Sequence, residues 1–365
     1  MKSIVIVILA MTLINCNNTD KSQKKTETLY VGTYTNEASE GIYRLQFDSE
    51  TGVITNSELA AKIASPSYLV ISPEKDFLYA VQEINDFEND TGAVTAFSIK
   101  NNNLTALQTV TSGGAHPCHV SLSPSGDRLA VSNYTGGNAS IYKIAADGTL
   151  IKPSTLIDHM KIDSTKAAHT HMAQWVNDAV YITDLGLDML ISYKENDTDL
   201  AKFKSINRLP EGAGPRHFTT SENGKFLYVI NELNSTITVF EKKDLGNYVK
   251  IQNESTLASD YKGDNACADI HISKDGKFLY GSNRGENTIV IFSIEENTGK
   301  LTLIGRESVH GDWPRNFTMD PSGKFLLVAN KKTNNITVFK RDIEKGTLTF
   351  LNEEKVSQPV CLLFL

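Results

Sequence analysis

The chain has 365 residues, of which 40% are hydrophobic and 22% charged, and its formal net charge at pH 7 is −7. This acidic balance, without a run of Lys and Arg, excludes nucleic acid as an expected partner, because phosphate backbones are bound by clustered cations. A chain of this length ordinarily forms two or more domains, yet a fold built from repeated units grows by adding units and remains one domain.

The first predicted element is a targeting segment. An apolar stretch over residues 4–14 is too short for a stable membrane-spanning helix but has the length of a signal-peptide core. It ends in Leu13-Ile14-Asn15-Cys16, which resembles the lipobox where a bacterial lipoprotein is acylated on cysteine, although Asn15 replaces the usual small residue. We therefore predict a signal peptide over residues 1–16 and membrane attachment only through a lipid anchor at Cys16.

The next segment, residues 17–28, is polar and shows no apolar period, which predicts a flexible tether. Signal and anchor together predict a location in the cell envelope, as a periplasmic or outer-membrane lipoprotein. A cytoplasmic location is the alternative if the signal is not used. The remaining residues, 29–365, are expected to form the folded domain.

One phrase recurs throughout that domain: a Pro-led or polar entry, a short strand, a turn ending in Gly-Lys, and then Phe-Leu-Tyr-Val with an Asn. The clearest copies contain Gly224–Asn231, Gly276–Tyr280 and Gly323–Leu327, and weaker copies start at Pro66, Pro117 and His169. Neighbouring starts are roughly 45 to 53 residues apart, which is the period of a β-propeller blade.

A seventh copy is split between the two ends of the chain. Residues 359–365 form an entry strand without a continuation, and residues 29–34 form a second strand without an entry. Pairing them closes the ring and removes two exposed sheet edges. Helical patterns are scarce, whereas β-branched and aromatic residues alternate along the chain. The prediction is an all-β fold, a seven-bladed β-propeller closed by pairing of its N- and C-terminal strands.

Aligning the repeats places histidine repeatedly at one position, two residues after the Pro-like start. The aligned residues are Tyr68, His119, His171, His217, His271, Asn316 and Cys361. The first strand of each propeller blade lines the central channel, so equivalent positions surround the axis. The alignment therefore predicts a ring that includes four histidines.

Two further aligned positions lie at the end of the second strand. The first is rich in Asn and contains Thr33, Gln82, Asn133, Asp184, Asn231, Asn283 and Asn330. Such residues are typical of turns, because their side chains bond nearby backbone groups. The second contains Tyr34, Glu83, Tyr134, Leu185, Glu232, Arg284 and Lys331. Turn formation does not require these charges, so this position favours a functional site on one face.

The cysteines and the remaining histidines carry no predicted chemistry. Cys118, Cys267 and Cys361 lack the close spacing of a disulfide framework or zinc site, which predicts small buried side chains. His159 and His310 fall outside the aligned histidine position and are expected in solvated loops.

A metal site is not predicted. Four histidines at one ring level, with Glu83 and Asp269 nearby in the alignment, have the right chemistry for a metal. Residues on different blades are nevertheless typically too far apart to share one ion at about 2.1 Å per ligand. We therefore expect neither a metal nor another cofactor.

Seven short blocks carry a family resemblance. They are His169-x-His171, Asp184-Leu185-Gly186, Gly212–His217, Asn231-Glu232-Leu233, Ala268–His271, Ser282-Asn283-Arg284 and Pro314–Phe317. In their order and over about residues 29–365, they resemble the propeller-type lactonase family. That family includes the propeller 6-phosphogluconolactonases and the fungal carboxy-cis,cis-muconate cyclase.

The resemblance implies a site without a metal. Its catalytic residues correspond here to His171, Arg216, Glu232 and Arg284. Either His171 or Glu232 would be the base that activates water, and the two arginines would hold an anion through paired hydrogen bonds. The alternative is structural: inter-blade salt bridges for the arginines, with Glu232 as their partner. Further substrate-binding residues expected around this centre are Glu83, His119, His169, His217, Asp269, His271 and Arg315.

Three functions fit these residues. The first is a hydrolase that opens the ring of a small anionic sugar lactone, similar to 6-phosphogluconolactonase. The second is a muconate-type lactonizing cycloisomerase that uses the same cations and base. The third is a non-catalytic binding propeller of the cell envelope, because propellers carry many unrelated functions. Export would favour an unphosphorylated lactone, since a phosphorylated pentose-phosphate metabolite is not expected outside the inner membrane.

Overall fold

The computed structural model describes residues 26–177, 179–194, 202–243 and 247–365. The predicted signal peptide, Cys16 and tether residues 17–25 lie outside these ranges. The described residues form 28 strands and two short 3₁₀ turns, Glu88–Asp90 and His159–Lys161. No helix within these ranges is long and apolar enough to cross a bilayer.

The strands form seven antiparallel sheets of four strands each, which are the blades of a propeller. The chain begins with β1 (Thr26–Thr33), β2 (Gly41–Asp48) and β3 (Ile54–Lys62). Blade 1 contains β4 (Leu69–Ile71), β5 (Phe77–Phe87), β6 (Thr91–Lys100) and β7 (Asn103–Thr111). Blade 2 contains β8 (Pro117–Leu122), β9 (Arg128–Asn133), β10 (Asn138–Ile144) and β11 (Leu150–Asp158).

The next four blades repeat this order. Blade 3 contains β12 (Thr170–Val176), β13 (Ala179–Asp184), β14 (Met189–Lys194) and β15 (Lys202–Arg208). Blade 4 contains β16 (Pro215–Thr220), β17 (Phe226–Asn231), β18 (Thr236–Lys242) and β19 (Tyr248–Ser255). Blade 5 contains β20 (Ala266–Ile272), β21 (Phe278–Arg284), β22 (Thr288–Ile294) and β23 (Leu301–Ser308). Blade 6 contains β24 (Pro314–Met319), β25 (Phe325–Asn330), β26 (Asn335–Arg341) and β27 (Leu348–Lys355).

The last strand closes the ring and confirms the predicted architecture. β28 (Pro359–Phe364) pairs with β1, with Leu29 opposite Phe364, so blade 7 is ordered β28-β1-β2-β3. The folded domain begins three residues earlier than predicted, because β1 already starts at Thr26. Thr28 accepts hydrogen bonds from the Leu365 amide at 3.0 Å and from Asn102 Nδ2 at 2.9 Å. Residues 26–28 are therefore part of a strand and not of the tether.

The repeated Phe-Leu-Tyr phrase links neighbouring blades. In blade 4, Phe226 packs against Gly299 in the outer hairpin of blade 5, where a Cβ atom would lie 2.3 Å from the ring. Tyr228 donates a hydrogen bond to the carbonyl oxygen of the same glycine at 2.9 Å. The glycine has φ of +67°, so both its backbone and the aromatic ring exclude a side chain there. Tyr79 and Tyr280 bond Gly148 O and Gly346 O in the same way, so this phrase joins several blades to the next one.

The hydrophobic core is divided among the spaces between blades. Between blades 6 and 7, for example, Val31 and Phe47 pack with Leu327 and Ile336. Each sheet buries both faces in this way, and the inner strands leave a polar channel at the centre. Cys118, Cys267 and Cys361 are buried and free, as predicted.

The strand register corrects the predicted histidine ring. Most inner strands start with a proline opposite the Asn-rich position of the second strand, as Pro215 does opposite Asn231. In blade 3 the residue opposite Asp184 is Thr170, and in blade 5 the residue opposite Asn283 is Cys267. Counting two residues onward from each start gives Tyr68, His119, Met172, His217, Asp269, Asn316 and Cys361, which we call the ring level.

Two predicted members of the ring therefore occupy other levels. His171 lies one residue nearer the start of its strand, at the same position as Arg216 and Arg315, and His271 lies two residues farther along. We call the end of the channel where inner strands start and second strands end the mouth. His171 is consequently a mouth residue, whereas His119 and His217 remain at the ring level.

The Asn-rich position has the structural role that its composition predicts. The Asn133 amide donates to Ser112 O at 3.0 Å, and the Asn330 amide donates to Thr337 Oγ1 at 3.1 Å. Both asparagines are fully buried. They connect the end of the second strand to the neighbouring strands and loops.

His159 contradicts the prediction of a solvated loop residue. Its side chain is fully buried. Its Nδ1 lies 2.8 Å from Asp184 Oδ2, and its Nε2 lies 2.9 Å from the Tyr193 hydroxyl. Blade 3 has Asp184 where four other blades have Asn, and this buried carboxylate requires donors, one of which His159 supplies.

Candidate active site

Side chains from six blades converge on a cavity of about 110 Å³ at the mouth. The lining residues are Glu83, Cys118, Tyr134, His171, Glu232, Arg284 and Arg315. Each belongs either to the start of an inner strand or to the residue that follows the Asn-rich position. The antiparallel pairing of the first two strands brings these two positions to the same end of every blade. Five predicted site residues therefore lie together here.

Glu232 lies between two arginines. Its Oε2 is 2.7 Å from Arg284 Nη2 and 3.0 Å from Arg216 Nε. The second contact lies off the N–H direction, so it is an ion pair and not an aligned hydrogen bond. Burial alone would raise the pKa of Glu232, but the guanidinium groups of Arg284, Arg216 and Arg315 outweigh it and lower that pKa. Glu232 is therefore a carboxylate at neutral pH.

Arg216 is bonded to protein groups and does not line the cavity. Its side chain is 2% exposed, and its Nη1 donates to Ala268 O at 2.7 Å. Burial lowers its pKa to about 10, helped by the charges of Arg284 and Arg315. It remains a cation at neutral pH, and its contact with Glu232 is the one expected under the structural alternative for this arginine.

Arg284 and Arg315 both line the cavity but differ in how their donors are used. Arg284 donates to Ala266 O at 3.0 Å and Cys267 O at 2.8 Å, in addition to its pair with Glu232. Among the described residues, the polar contact of Arg315 is a single ion pair with Glu83, at 3.4 Å from Nη2 to Oε2. Arg315 is therefore the cavity arginine with the most donors left for a ligand.

Tyr34 organises the surroundings of Arg315. Its hydroxyl is 2.9 Å from both carboxylate oxygens of Glu83. The Arg315 guanidinium lies 5.3 Å from the Tyr34 ring centre, and the Lys331 ammonium lies 5.0 Å from it. Two cations therefore share one aromatic ring at the rim of the cavity, an arrangement in which the negative ring face offsets part of their repulsion.

His171 is a neutral imidazole in the cavity wall. Its side chain is 4% exposed, and its buried Nδ1 has no hydrogen-bond partner among the described residues. Burial holds its pKa well below the usual value, and the nearby charges of Arg216 and Arg315 add to this effect. The group therefore remains able to accept a proton throughout the neutral range.

Two wall residues were missed by the sequence reasoning. Tyr134 stands at the charged position of the alignment and stacks on His169, with ring centres 4.5 Å apart at 14°. Its place at the charged aligned position was the signal that could have identified Tyr134 as a site residue. Cys118 also lines the cavity, but burial raises the pKa of its thiol well above the usual value. A protonated thiol is a poor nucleophile, so Cys118 is part of the wall only.

The other predicted substrate-binding histidines do not line the mouth cavity. His119 and His217 are buried at the ring level, and the carboxylate of Asp269 lies between His217 and His271. His169 stacks on the Tyr134 ring but does not itself line the cavity. In the described part of the chain, no group of three or more His, Cys, Asp and Glu side chains is placed to hold a metal ion.

The fold agrees with comparisons to known proteins. A family model described as "Lactonase, 7-bladed beta-propeller" matches residues 28–364. The chain belongs to this lactonase family.

Two sequence relatives and one solved structure illustrate the similarity. The chain is 34% identical over 301 residues to a 6-phosphogluconolactonase of Bacillus subtilis, covering 80% of this chain and 85% of that protein. It is 37% identical over 310 residues to a 6-phosphogluconolactonase of Formosa agariphila, covering 80% and 86%. The structure of a periplasmic gluconolactonase of Pseudomonas aeruginosa matches with a TM-score of 0.87 and 29% identity, covering 93% and 99%.

Proposed function

We propose that this protein is a lactonase that hydrolyses the ring ester of an anionic sugar lactone. The observation that carries the proposal is the neutral His171 in the wall of a cavity that also presents the donors of Arg284 and Arg315. A proton acceptor next to fixed cationic donors is what ester hydrolysis requires. The relatives named as 6-phosphogluconolactonases and gluconolactonase support the same reaction class.

The charge of the mouth favours an anionic substrate. The guanidinium groups of Arg216, Arg284 and Arg315 face the carboxylates of Glu83 and Glu232, which leaves one net positive charge. Lys331 adds a second cation at the rim. Because Arg315 has unused donors, we assign it to the phosphate or carboxylate of the substrate, which a planar guanidinium binds through two parallel bonds.

The reaction begins with water attacking the lactone carbonyl carbon. His171 accepts a proton from this water as the new carbon–oxygen bond forms. The carbonyl oxygen gains negative charge, and Arg284 lies in the same wall to stabilise it. When the intermediate collapses, the bond to the ring oxygen breaks, and the imidazolium of His171 returns its proton to that oxygen. The product is the open hydroxy acid.

Glu232 serves this reaction by holding Arg284 in place. Its contacts with two guanidinium groups lower its basicity, whereas His171 has an unpaired nitrogen. Glu232 is the second candidate for the base, because its Oε1 has no hydrogen-bond partner among the described residues. Substitution of each residue separates the two roles.

We also propose that the lactonase works in the cell envelope, anchored through Cys16. The apolar segment and the lipobox-like sequence before Cys16 support export, as does the structural similarity to a gluconolactonase named as periplasmic. Acylation at this thiol would be the anchor. Cys16→Ala should release the protein from membranes, and equal membrane association of both forms in fractionation would contradict the anchor.

The test of function uses purified residues 26–365 and a panel of lactones: 6-phosphogluconolactone, glucono-1,5-lactone and a carboxylate-bearing sugar lactone. We expect hydrolysis, with kcat lowered on the order of 100- to 10,000-fold in His171→Ala and less in Glu232→Gln. His159→Gln, an equally buried histidine outside the site, is the matched control and should retain full activity. Absence of hydrolysis across the panel would favour a binding propeller, and ring closure of a muconate would favour the cycloisomerase.

A further inference from the structure

Asp269 is the most heavily bonded carboxylate of the channel, although it does not line the mouth cavity. Its Oδ1 is 2.8 Å from His217 Nδ1 and 3.0 Å from the Ile270 amide. Its Oδ2 receives bonds from three further donors, namely His271 Nε2 at 3.0 Å, Asn316 Nδ2 at 2.6 Å and the Phe317 amide at 3.2 Å. Burial would raise the pKa of Asp269, but these partners outweigh it and hold that pKa well below its usual value.

The environment of His217 permits one arrangement of its proton. Asp269 is an ionised carboxylate and only accepts, so Nδ1 of His217 must carry the hydrogen. On the other side of the ring, Nε2 lies 3.3 Å from Nη1 of Arg216. A guanidinium only donates, so Nε2 must be unprotonated and accept. Burial and the charge of Arg216 lower the pKa of His217 to about 4, which keeps the ring neutral.

The two neighbours therefore form a continuous path to the mouth. Arg216 Nη1 is fixed by His217 and by Ala268 O, and Arg216 Nε then lies 3.0 Å from Glu232 Oε2. Glu232 in turn pairs with Arg284 at 2.7 Å. Arg216 also contributes the largest nearby charge that keeps His171 neutral. The orientation of one buried imidazole thus affects both the pair Glu232–Arg284 and the base.

We propose that Asp269 and His217 are positioning residues, which hold Arg216 in its working orientation by fixing His217 as the Nδ1–H tautomer. The effect of this arrangement on catalysis rests on the proposed lactonase function. The arrangement itself does not depend on that function, and it is testable without substrate.

Asp269→Asn tests the tautomer directly. An amide in place of the carboxylate has one oxygen and one NH₂ group. If the NH₂ group takes the place of Oδ2, it faces the three donors that now bond Oδ2. If it takes the place of Oδ1, it faces His217 Nδ1 and the Ile270 amide. His217 can adapt to the second arrangement by moving its proton to Nε2, which then points a donor at Arg216. We therefore expect a change of tautomer in a folded protein, with Arg216 displaced.

The primary measurement is ¹⁵N NMR of the histidine rings, assigned with His217→Gln. Wild type should show His217 as the Nδ1–H form, and Asp269→Asn should show the Nε2–H form or a mixture. The matched control is the pair His159 and Asp184. It has the same 2.8 Å contact and is similarly buried, but the second ring nitrogen of His159 contacts the Tyr193 hydroxyl and not an arginine. The His159 signals should stay unchanged in Asp269→Asn. An unchanged Nδ1–H form of His217 would overturn the proposal.

Kinetics on the best substrate of the lactone panel form the second measurement. His217→Leu should lower kcat roughly 10- to 100-fold, as expected for a small displacement of a catalytic group, with a smaller change in KM. His217→Gln offers a donor and an acceptor side by side and should recover most of this loss. Equal loss in both variants would indicate a purely structural role and overturn the proposal, as would activity of His217→Leu within twofold of wild type.

The two proposals fail in different ways. If wild type hydrolyses no lactone, the proposed function fails. The positioning role is then still tested by two measurements on Asp269→Asn: the tautomer of His217, and the position of Arg216 in a crystal structure. If lactone is hydrolysed but Arg216 and the tautomer are unchanged in that variant, the positioning role alone fails. Should Asp269→Asn not fold, the comparison of His217→Gln with His217→Leu carries the test.

Discussion

The imidazole rings of His171 and His217 lie 5.1 Å apart, although the two residues occupy different levels of the channel. His171 stands level with Arg216 and Arg315 at the mouth, and His217 stands one level deeper. The difference matters because the mouth level brings His171 close to three guanidinium groups, which disfavour its protonation. His217, one level deeper, also lies close to Arg216, at 3.3 Å from Nε2 to Nη1, but it does not line the cavity.

The first prediction concerns the pH dependence of activity. Because burial and the arginine charges depress the pKa of His171, its neutral form persists well below pH 6.5. We therefore expect kcat/KM to stay constant from pH 8 to pH 6.5 and to fall only at lower pH. Arg315→Gln removes one of the depressing charges and should move the acid limb to higher pH. An acid limb at or above pH 6.5 in wild type would contradict His171 as the base.

The second prediction concerns stability. Burial lowers the pKa values of His119, His171 and His217, so below pH 6.5 the unfolded chain binds protons that the folded protein does not. Stability should therefore fall as the pH drops, by about 1.4 kcal/mol per pH unit for each such group. His271, whose pKa Asp269 raises against the effect of burial, acts in the opposite direction.

Urea unfolding at pH 7.5 and pH 5.5 measures this slope. His119→Gln removes one of the three groups and should flatten the dependence, whereas His310→Gln, a partly exposed residue, should leave it unchanged. Stability that is constant or increases towards pH 5.5 would show that these histidines become protonated in the folded protein.

The sequence predicted the propeller because several blades repeat the groups that join them to the next blade. Phe226 and Tyr228 recur for that reason, and the terminal strands were recognisable as two halves of one unit. The level that each residue occupies in the channel was harder to predict from the sequence. The alignment placed His169 and Asp269 at the proline position, but backbone pairing places Thr170 and Cys267 there, opposite Asp184 and Asn283. A shift of one or two residues in a strand leaves no mark in a repeat alignment.

The same limit applies to side chains that meet across the fold. His159 was predicted in a solvated loop because it falls outside the aligned histidine position, yet Asp184, 25 residues away, binds it in the core. Arg216 was expected to bind substrate, but its partner Ala268 O belongs to the next blade. Residue type indicates which charged groups lie near the mouth, and only three-dimensional contacts distinguish a group with unused donors from a group that is already bonded.

The third prediction tests the aromatic contact between blades. In Gly346→Ala the new Cβ would lie 2.4 Å from the Phe278 ring, at a φ of +74°. We expect a loss of about 2 to 5 kcal/mol in the free energy of unfolding, from overpacking together with backbone strain. Gly276→Ala is the matched control, because φ is +72° and no atom lies within 4 Å of the new Cβ. Its cost should be about 1 to 2 kcal/mol. Equal losses would show that backbone strain alone makes these glycines necessary.

The fourth prediction concerns closure of the ring. Removing β28 exposes the edge of β1, so residues 26–358 should be insoluble or fail to unfold cooperatively. Residues 26–365 should fold, whereas residues 29–365 should lose about 1 to 3 kcal/mol, because the two hydrogen bonds to Thr28 disappear. Calorimetry on the three truncations checks this order. A soluble, cooperatively melting protein that lacks β28 would contradict closure by the termini.

The last prediction assigns substrate charge to Arg315. Arg315→Lys keeps the positive charge but loses the planar pair of donors that grips a phosphate or carboxylate. We expect KM for an anionic lactone to rise about tenfold, which corresponds to about 1.4 kcal/mol of binding, while kcat/KM for a neutral lactone changes little. Arg306→Lys is the control: Arg306 is similarly part-buried, at 18% exposed, but bonds Thr256 O away from the mouth. An equal effect of Arg315→Lys on both lactones would mean that Arg315 shapes the cavity without contacting the anion, and an unchanged KM for the anionic lactone would remove Arg315 from substrate recognition.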